Sequence, residues 1–175
     1  MKKLLCAVTL MLTLIIASAA CAADGVKLGS VDIQKVLILS EAGKEAKEQL
    51  AAKGNKYEAE KNSREEDLKK LKGELEKQSV LLSESARGAK EKDYQQKLKE
   101  YQRFLKDAQD DLQAKNDELT NRLVEEIVKI VQGYGKMNAF SYIFVKNDSM
   151  VYADEKNDLT DEILMAFNTA RKIKK

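Results

Sequence analysis

Two heptad-spaced apolar runs, mirrored about Ala86-Arg87-Gly88, constrain this chain more than any other feature of its sequence. The first places Leu50, Tyr57, Arg64, Leu71 and Gln78 on one track and Gly54, Lys61, Leu68, Leu75 and Leu82 on the next. The second sets Tyr94, Tyr101, Ala108, Lys115 and Arg122 beside Glu91, Leu98, Leu105, Leu112 and Leu119. A 3.5-residue apolar repeat keeps one helical seam turned toward a partner helix. Folding the chain back near residue 86 opposes residues whose numbers add to 172 or 173, such as Leu71 with Tyr101 and Leu75 with Leu98. The pattern predicts an antiparallel helical hairpin, whose arms of roughly 40 residues would reach about 60 Å. The chain has no proline, which fits helices of that length.

Other apolar residues collect at the two chain ends. Val26 to Val31 has the β-branched alternation of a short strand. Asp32 can cap a short helix carrying Ile33, Val36, Leu37 and Leu39, and Ser40 can cap again, with Glu41 and Glu45 near the positive end of the helix dipole. The return helix is expected from about Glu91 to Gln132, ended by Gly133 and Gly135. Tyr142 to Val145, a turn at Asn147-Asp148-Ser149, and Met150 to Tyr152 read as a β-hairpin. Asp158 or Thr160 then caps a closing amphipathic helix carrying Leu159, Ile163, Leu164 and Phe167.

The expected fold class is α+β and mostly helical. Residues 24–40 and 123–175 form one small body with three short strands, residues 41–122 form the arm, and residues 83–90 form its tip. A body of about 70 residues gains naturally from oligomerisation. An open strand edge at Val26–Val31 or Tyr142–Val145 would invite a second copy.

Residues 1–23 have the layout of a secretory signal peptide: basic Met1-Lys2-Lys3, apolar Leu4 to Ala17, then small residues from Ser18 to Ala23. The apolar stretch is shorter than the roughly 20 residues a spanning helix needs. Cleavage before Ala23 or Asp24, or near Ala17-Ser18-Ala19, would follow. Cys21 offers the alternative of a lipidated first residue, although Ser18 stands where a lipobox usually carries leucine. If Cys6 and Cys21 leave with the signal, no cysteine remains for a disulfide. The chain has no histidine, so the commonest general base and metal imidazole are missing. No phosphate loop, calcium loop or nucleophile elbow is present. Neither an enzyme nor a metal or other cofactor is expected.

Removing Lys2 and Lys3 from 31 basic residues leaves 29, against 29 acidic ones. The neutrality hides a gradient. Residues 69–106 carry 11 basic and 6 acidic residues, a balance of +5, and residues 107–126 carry 2 and 7, a balance of −5. A solvated coiled-coil face laced with weak salt bridges is the plain reading of most of these charges. The alternative is a cationic tip bearing Lys69, Lys70, Lys72, Lys77, Arg87, Lys90, Lys92, Lys97 and Lys99 beside the apolar run Val80-Leu81-Leu82. That run either plugs the hairpin end or contacts an apolar or anionic client, or a membrane surface. Gly54, Lys61 and Arg64 weaken the middle of the seam, either as a routine defect or as a hinge.

The order of signal, strand, charged helical hairpin, β-hairpin and capped final helix resembles the Skp/OmpH family of periplasmic chaperones. The likeness is most specific in Val26-Lys-Leu-Gly-Ser-Val-Asp and in Tyr142-Ile-Phe-Val, Val151-Tyr-Ala-Asp and Asp158-Leu-Thr-Asp-Glu-Ile-Leu. The resemblance implies a homotrimer whose strands build a β-barrel body, with three arms hanging around a cavity. There, unfolded outer-membrane β-barrel proteins would be held without ATP. Val26, Leu28, Val31, Ile143, Val145 and Val151 would belong to that body. Familiar members are markedly basic and this mature chain is neutral, so contact with a membrane surface or lipopolysaccharide would be confined to the tips. Nucleic acid is not an expected partner. A coiled-coil spacer or adaptor of the cell envelope, lipid-anchored or soluble, is the alternative reading.

Overall fold

The computed structural model describes residues 26–78 and 83–174. Strand β1 (Leu28–Val31) leads into the short helix α1 (Ile33–Leu39). The two long helices follow, α2 (Glu41–Gln78) and α3 (Glu84–Met137). Strand β2 (Tyr142–Val145), a single 3-10 turn at Glu155–Asn157 and helix α4 (Thr160–Lys174) complete the chain. The signal segment and Val80-Leu81-Leu82 lie outside the described residues.

Each helix begins where side-chain chemistry satisfies its free N–H groups. Asp32 accepts from the Lys35 N–H at 2.8 Å. The buried Ser40 hydroxyl accepts from the Gly43 N–H at 3.0 Å and donates to the Leu37 carbonyl at 3.1 Å, fixing the corner between α1 and α2. At the start of α4 the Asp158 carboxylate accepts from the N–H of Thr160, the first helical residue, at 3.0 Å. Thr160 is buried and its hydroxyl accepts from the Asp32 N–H at 3.0 Å, joining the two chain ends at their helix starts.

Those ends share one core. Val31, Val36 and Ala42 from the N-terminal segment pack with Leu123 and Ile127 of α3 and with Leu159, Ile163 and Phe167 around α4. With 38 and 54 residues, α2 and α3 are about 57 and 81 Å long, far more than this core can cover. The arm therefore projects from the body.

The strands depart from the expected β-hairpin. β2 pairs in parallel with β1, Leu28 opposite Tyr142 and Val31 opposite Val145. A parallel pair needs a long crossover, and here the crossover is the whole arm. The turn after β2 does form, with the Met150 N–H donating to the Asn147 carbonyl at 2.9 Å. The segment beyond it does not return as a strand, and Val151 is 98% exposed. Among the described residues the sheet has two strands, not three. The far edge of β1 is occupied by the 157–159 segment, through the Leu159 N–H to the Ser30 carbonyl at 2.8 Å. Among the described residues the far edge of β2 has no strand paired to it.

Helix α3 also runs past both expected ends. Gly133 and Gly135 lie inside it, and it stops at the Asn138 cap with Ala139 at φ 54°. A Cβ on Gly135 would lie 3.1 Å from Ile143 Cδ1. Glycine at 135 thus serves close approach of β2 to the helix, not helix termination. At the other end, Ser83 caps α3 by accepting from the Ala86 N–H at 3.3 Å. Residues 84–90, expected to form the tip, are helical, and Gly88 is an ordinary helix position.

Candidate functional site

The middle of the arm is held by polar and aromatic contacts where a leucine seam would be the default. Tyr57 of α2 donates its hydroxyl to Asp111 of α3 at 2.5 Å, and Lys53 pairs with the same carboxylate at 2.5 Å. Two turns nearer the tip along α3, the Tyr57 ring meets Phe104 edge-on with centroids 6.0 Å apart, and the Arg64 guanidinium lies 4.5 Å above Phe104. Farther out Tyr101 donates to Glu65, and Lys90 pairs with Glu74 at 2.8 Å. The hydrogen bonds from Lys53 and then Tyr57 hold the Asp111 carboxyl below its ordinary range. The Asp111 carboxylate in turn raises both Lys53 and Tyr57. Lys90 lowers Glu74 in the same way, and Glu65 raises Tyr101.

These contacts fix a register different from the expected one. Contacting residues have numbers adding to between 161 and 168, not 172 or 173. Ser83 already caps the return helix, so the two arms are offset from the register expected for a fold-back at residue 86. Leu71 is therefore not the partner of Tyr101. Phe104 takes the inward place expected for Leu105, which is left exposed. The Tyr101, Phe104, Ala108, Asp111 spacing of three and four residues carried that signal.

Beside this clasp the helices part around a cleft of about 640 Å³. Its apolar walls are Leu50, Ala51 and Tyr57 on α2 and Phe104, Leu105, Ala108 and Leu112 on α3. A Cβ on Gly54 would meet nothing within 4 Å, so the missing side chain is part of the open space. A smaller cleft of about 190 Å³ continues toward the body, sharing Lys47, Leu50 and Asn116 with the first and adding Leu37, Ile38 and Leu119. An apolar groove thus runs along the root half of an otherwise charged arm, with Lys47, Glu58, Lys61, Gln109 and Gln113 on its margins.

The residues singled out from sequence fall in different places. Gly54 and Lys61 line the cleft, and Lys61 pairs with Glu58 on its own helix at 3.0 Å. Arg64 is held by Glu60 at 2.5 Å as well as by Phe104, so it braces the seam. Lys69, Lys72, Lys77, Arg87, Lys92, Lys97 and Lys99 are exposed and have no ion pair among the described residues. Lys70 pairs with Glu66, and Lys90 spans the seam to Glu74. In the body, Val31 is buried in the chain's own core and Ile143 packs against it. Leu28, Val145 and Val26 are exposed, and Tyr142 and Phe144, both in β2 and both exposed, stack on each other with centroids 6.1 Å apart. Sequence reading missed Lys53, Asp111, Phe104, Glu65 and Glu74. Their roles depend on the register, which the heptad pattern left one to two turns out.

Among solved structures, the fold matches a candidate outer membrane chaperone (OmpH-like) from Caulobacter crescentus CB15. The TM-score is 0.77 over 82% of this chain and 84% of that one, at 17% identity, which establishes likeness of fold. No curated protein matches the sequence. The family model described as outer membrane protein (OmpH-like) matches residues 27–167, nearly all of the described chain. The chain belongs to the OmpH-like outer membrane protein family.

Proposed function

We propose that this protein is a periplasmic holdase chaperone, which shields unfolded outer-membrane β-barrel proteins between its arms by binding alone, without ATP or catalysis. The observation that carries this reading is the apolar groove in the arm, about 640 Å³ in its larger part, on a surface that is otherwise charged. Strands of an unfolded barrel present alternating apolar side chains and aggregate through unpaired backbone. A groove that takes a few such side chains at a time gives many weak contacts and easy release. Family membership and the likeness to a candidate outer membrane chaperone support the same reading.

We further propose that the body assembles as a homotrimer through the open edge of β2. Tyr142 and Phe144 are 61% and 50% exposed there, beside Val145 and Leu28, too much apolar sheet to leave in water. Native mass spectrometry of the protein with a barrel protein diluted from urea tests both statements. Three subunits with one client is the expected species. A trimer that never retains client sinks the holdase reading in favour of an envelope spacer. A monomer at micromolar concentration sinks the trimer. Deleting residues 69–106 should leave the assembled body with little anti-aggregation activity.

A further inference from the structure

The two flanks of the arm differ in chemistry. On one, Lys53 and Tyr57 meet Asp111, and Lys115 pairs with Glu118. On the other, where the apolar groove opens, α3 presents Gln109, Gln113, Asn116 and Thr120. Their spacing of four, three and four residues puts them within about 60° of arc, on the side of the seam away from Asp111. None of the four is charged, in a chain where 34% of residues are. Each carries both a donor and an acceptor. Gln113 donates to Asp117 at 2.9 Å, and Gln109, Asn116 and Thr120 make no side-chain hydrogen bond among the described residues. Across the groove Lys61 pairs with Glu58 at 3.0 Å, so the α2 margin is also close to neutral.

Between these margins the floor is apolar, from Ile38 and Leu50 at the root to Leu105 and Phe104 farther out. Ile38 is 65% and Leu105 38% exposed, so the chain itself covers neither. Along α2 the groove runs from Gly43 to Lys61, about 27 Å. Extended chain covers that distance in about eight residues and turns every second side chain to the same face. We infer that the groove is a strand-binding site. A segment of alternating apolar and polar residues lies extended along it, with its apolar side chains on the floor and its backbone bonded to the row from Gln109 to Thr120. The inference rests on the holdase reading and adds which client segments are held, and by what.

The chemistry of the row selects for backbone. An extended segment laid in an apolar groove loses water along one edge, where N–H and C=O groups recur every second residue, about 6.8 Å apart. Left unpaired, those groups oppose docking. Carboxamides and a hydroxyl at steps of about 4.5–6 Å along α3 can pair with either group, and no charge has to lose its water. An apolar helix has its backbone already paired and gains nothing from the row. A strongly charged segment finds no opposite charge there. One strand of a membrane barrel meets both requirements, since it alternates apolar and polar residues and its apolar band is about 25 Å tall. Its polar face would then point out of the groove into water.

Fluorescence anisotropy of the native protein with labelled peptides of about ten residues, the length of one membrane strand, tests the inference. One peptide alternates valine and threonine, and a second holds the same residues in one apolar and one polar block. A third is the alternating peptide with N-methyl groups along both edges. The first should bind about tenfold more tightly than either of the others. Gln109→Leu with Asn116→Leu keeps the bulk of the row and removes its hydrogen bonds, so the preference over the methylated peptide should fall to near unity, whichever way overall affinity moves. A Cβ at Gly54 meets nothing within 4 Å, so Gly54→Leu should leave the arm folded, fill the groove and weaken all three. Equal binding of alternating and block peptides overturns the inference, as does a methylation preference that survives the double substitution. Binding that appears only on dilution to monomer would put another copy in the groove and also overturns it. Aggregation of a barrel protein diluted from urea is followed in parallel. Wild-type protein that shows no peptide preference yet keeps the barrel protein soluble overturns the inference and leaves the holdase reading standing, and protein that does neither overturns both.

Discussion

Gly43 sets helix propensity and packing against each other, and the magnitudes say which wins. It is the third residue of α2, where alanine would be favoured by up to about 1 kcal/mol on propensity. Yet a Cβ there would sit 1.7 Å from the Leu37 carbonyl oxygen and 3.1 Å from Ser40 Oγ. Real contacts of this kind do not close below 3.0 Å, so the backbone between α1 and α2 must move by more than 1 Å. Overpacking costs about 1–3 kcal/mol even where a side chain can yield. Here the obstacle is backbone, and the two Ser40 hydrogen bonds, about 1 kcal/mol each, lie in the path of the shift. Gly43→Ala should therefore destabilise the body by about 2–3 kcal/mol net, roughly 30- to 150-fold in the folding equilibrium. Gly73 and Gly88 are the controls, since a Cβ at either meets nothing within 4 Å. Alanine there should be neutral to stabilising by about 0.5–1 kcal/mol. Urea titration at one fixed protein concentration, read by far-ultraviolet circular dichroism and by fluorescence of the core-packed Tyr134, measures all three. A Gly43→Ala protein as stable as wild type would refute the claim that the α1–α2 corner is rigid.

Two further outcomes follow from the core and the clasp. Phe167 is 1% exposed among Val31, Val36, Leu123 and Ile127, so Phe167→Ala should cost about 3–5 kcal/mol and lower the urea midpoint in proportion. Midpoints within experimental error of wild type would mean that α4 is not integral to the body. The Asp111 and Glu74 carboxyls are held below their ordinary values, so their contribution is present above the unfolded pKa, about 4, and is lost as pH falls through the lower folded value. Protection factors along α2 and α3, taken after correction for the intrinsic pH dependence of amide exchange, should thus be steady from neutral pH down to about 4 and fall below it. Asp111→Asn should remove part of that acid response around Tyr57, and an unaltered profile would show that the clasp contributes nothing to arm closure.

Much of this molecule was written locally in its sequence. The 3.5-residue repeat required two long paired helices, because only that period keeps Leu50, Tyr57, Leu68 and Leu75 on one side of a helix. Asp32, Ser40 and Asp158 announced their helix starts because capping acts over three residues. The apolar chain ends had to meet, since neither could bury a core alone, and the candidate family was legible from layout together with short end motifs. Distance along the chain decided the rest. Parallel pairing of β2 with β1 joins residues 114 apart and leaves Val151 and Tyr152 in solvent, which alternation of apolar residues could not foretell. The hairpin register turned on where Ser83 caps α3, since a slip of one or two turns leaves an antiparallel heptad pattern equally well matched. That slip brought Phe104 inward, set Tyr57 and Lys53 on Asp111 and opened the cleft at Gly54. Periodicity fixed which face of each helix is buried, and only tertiary packing chose what it is buried against.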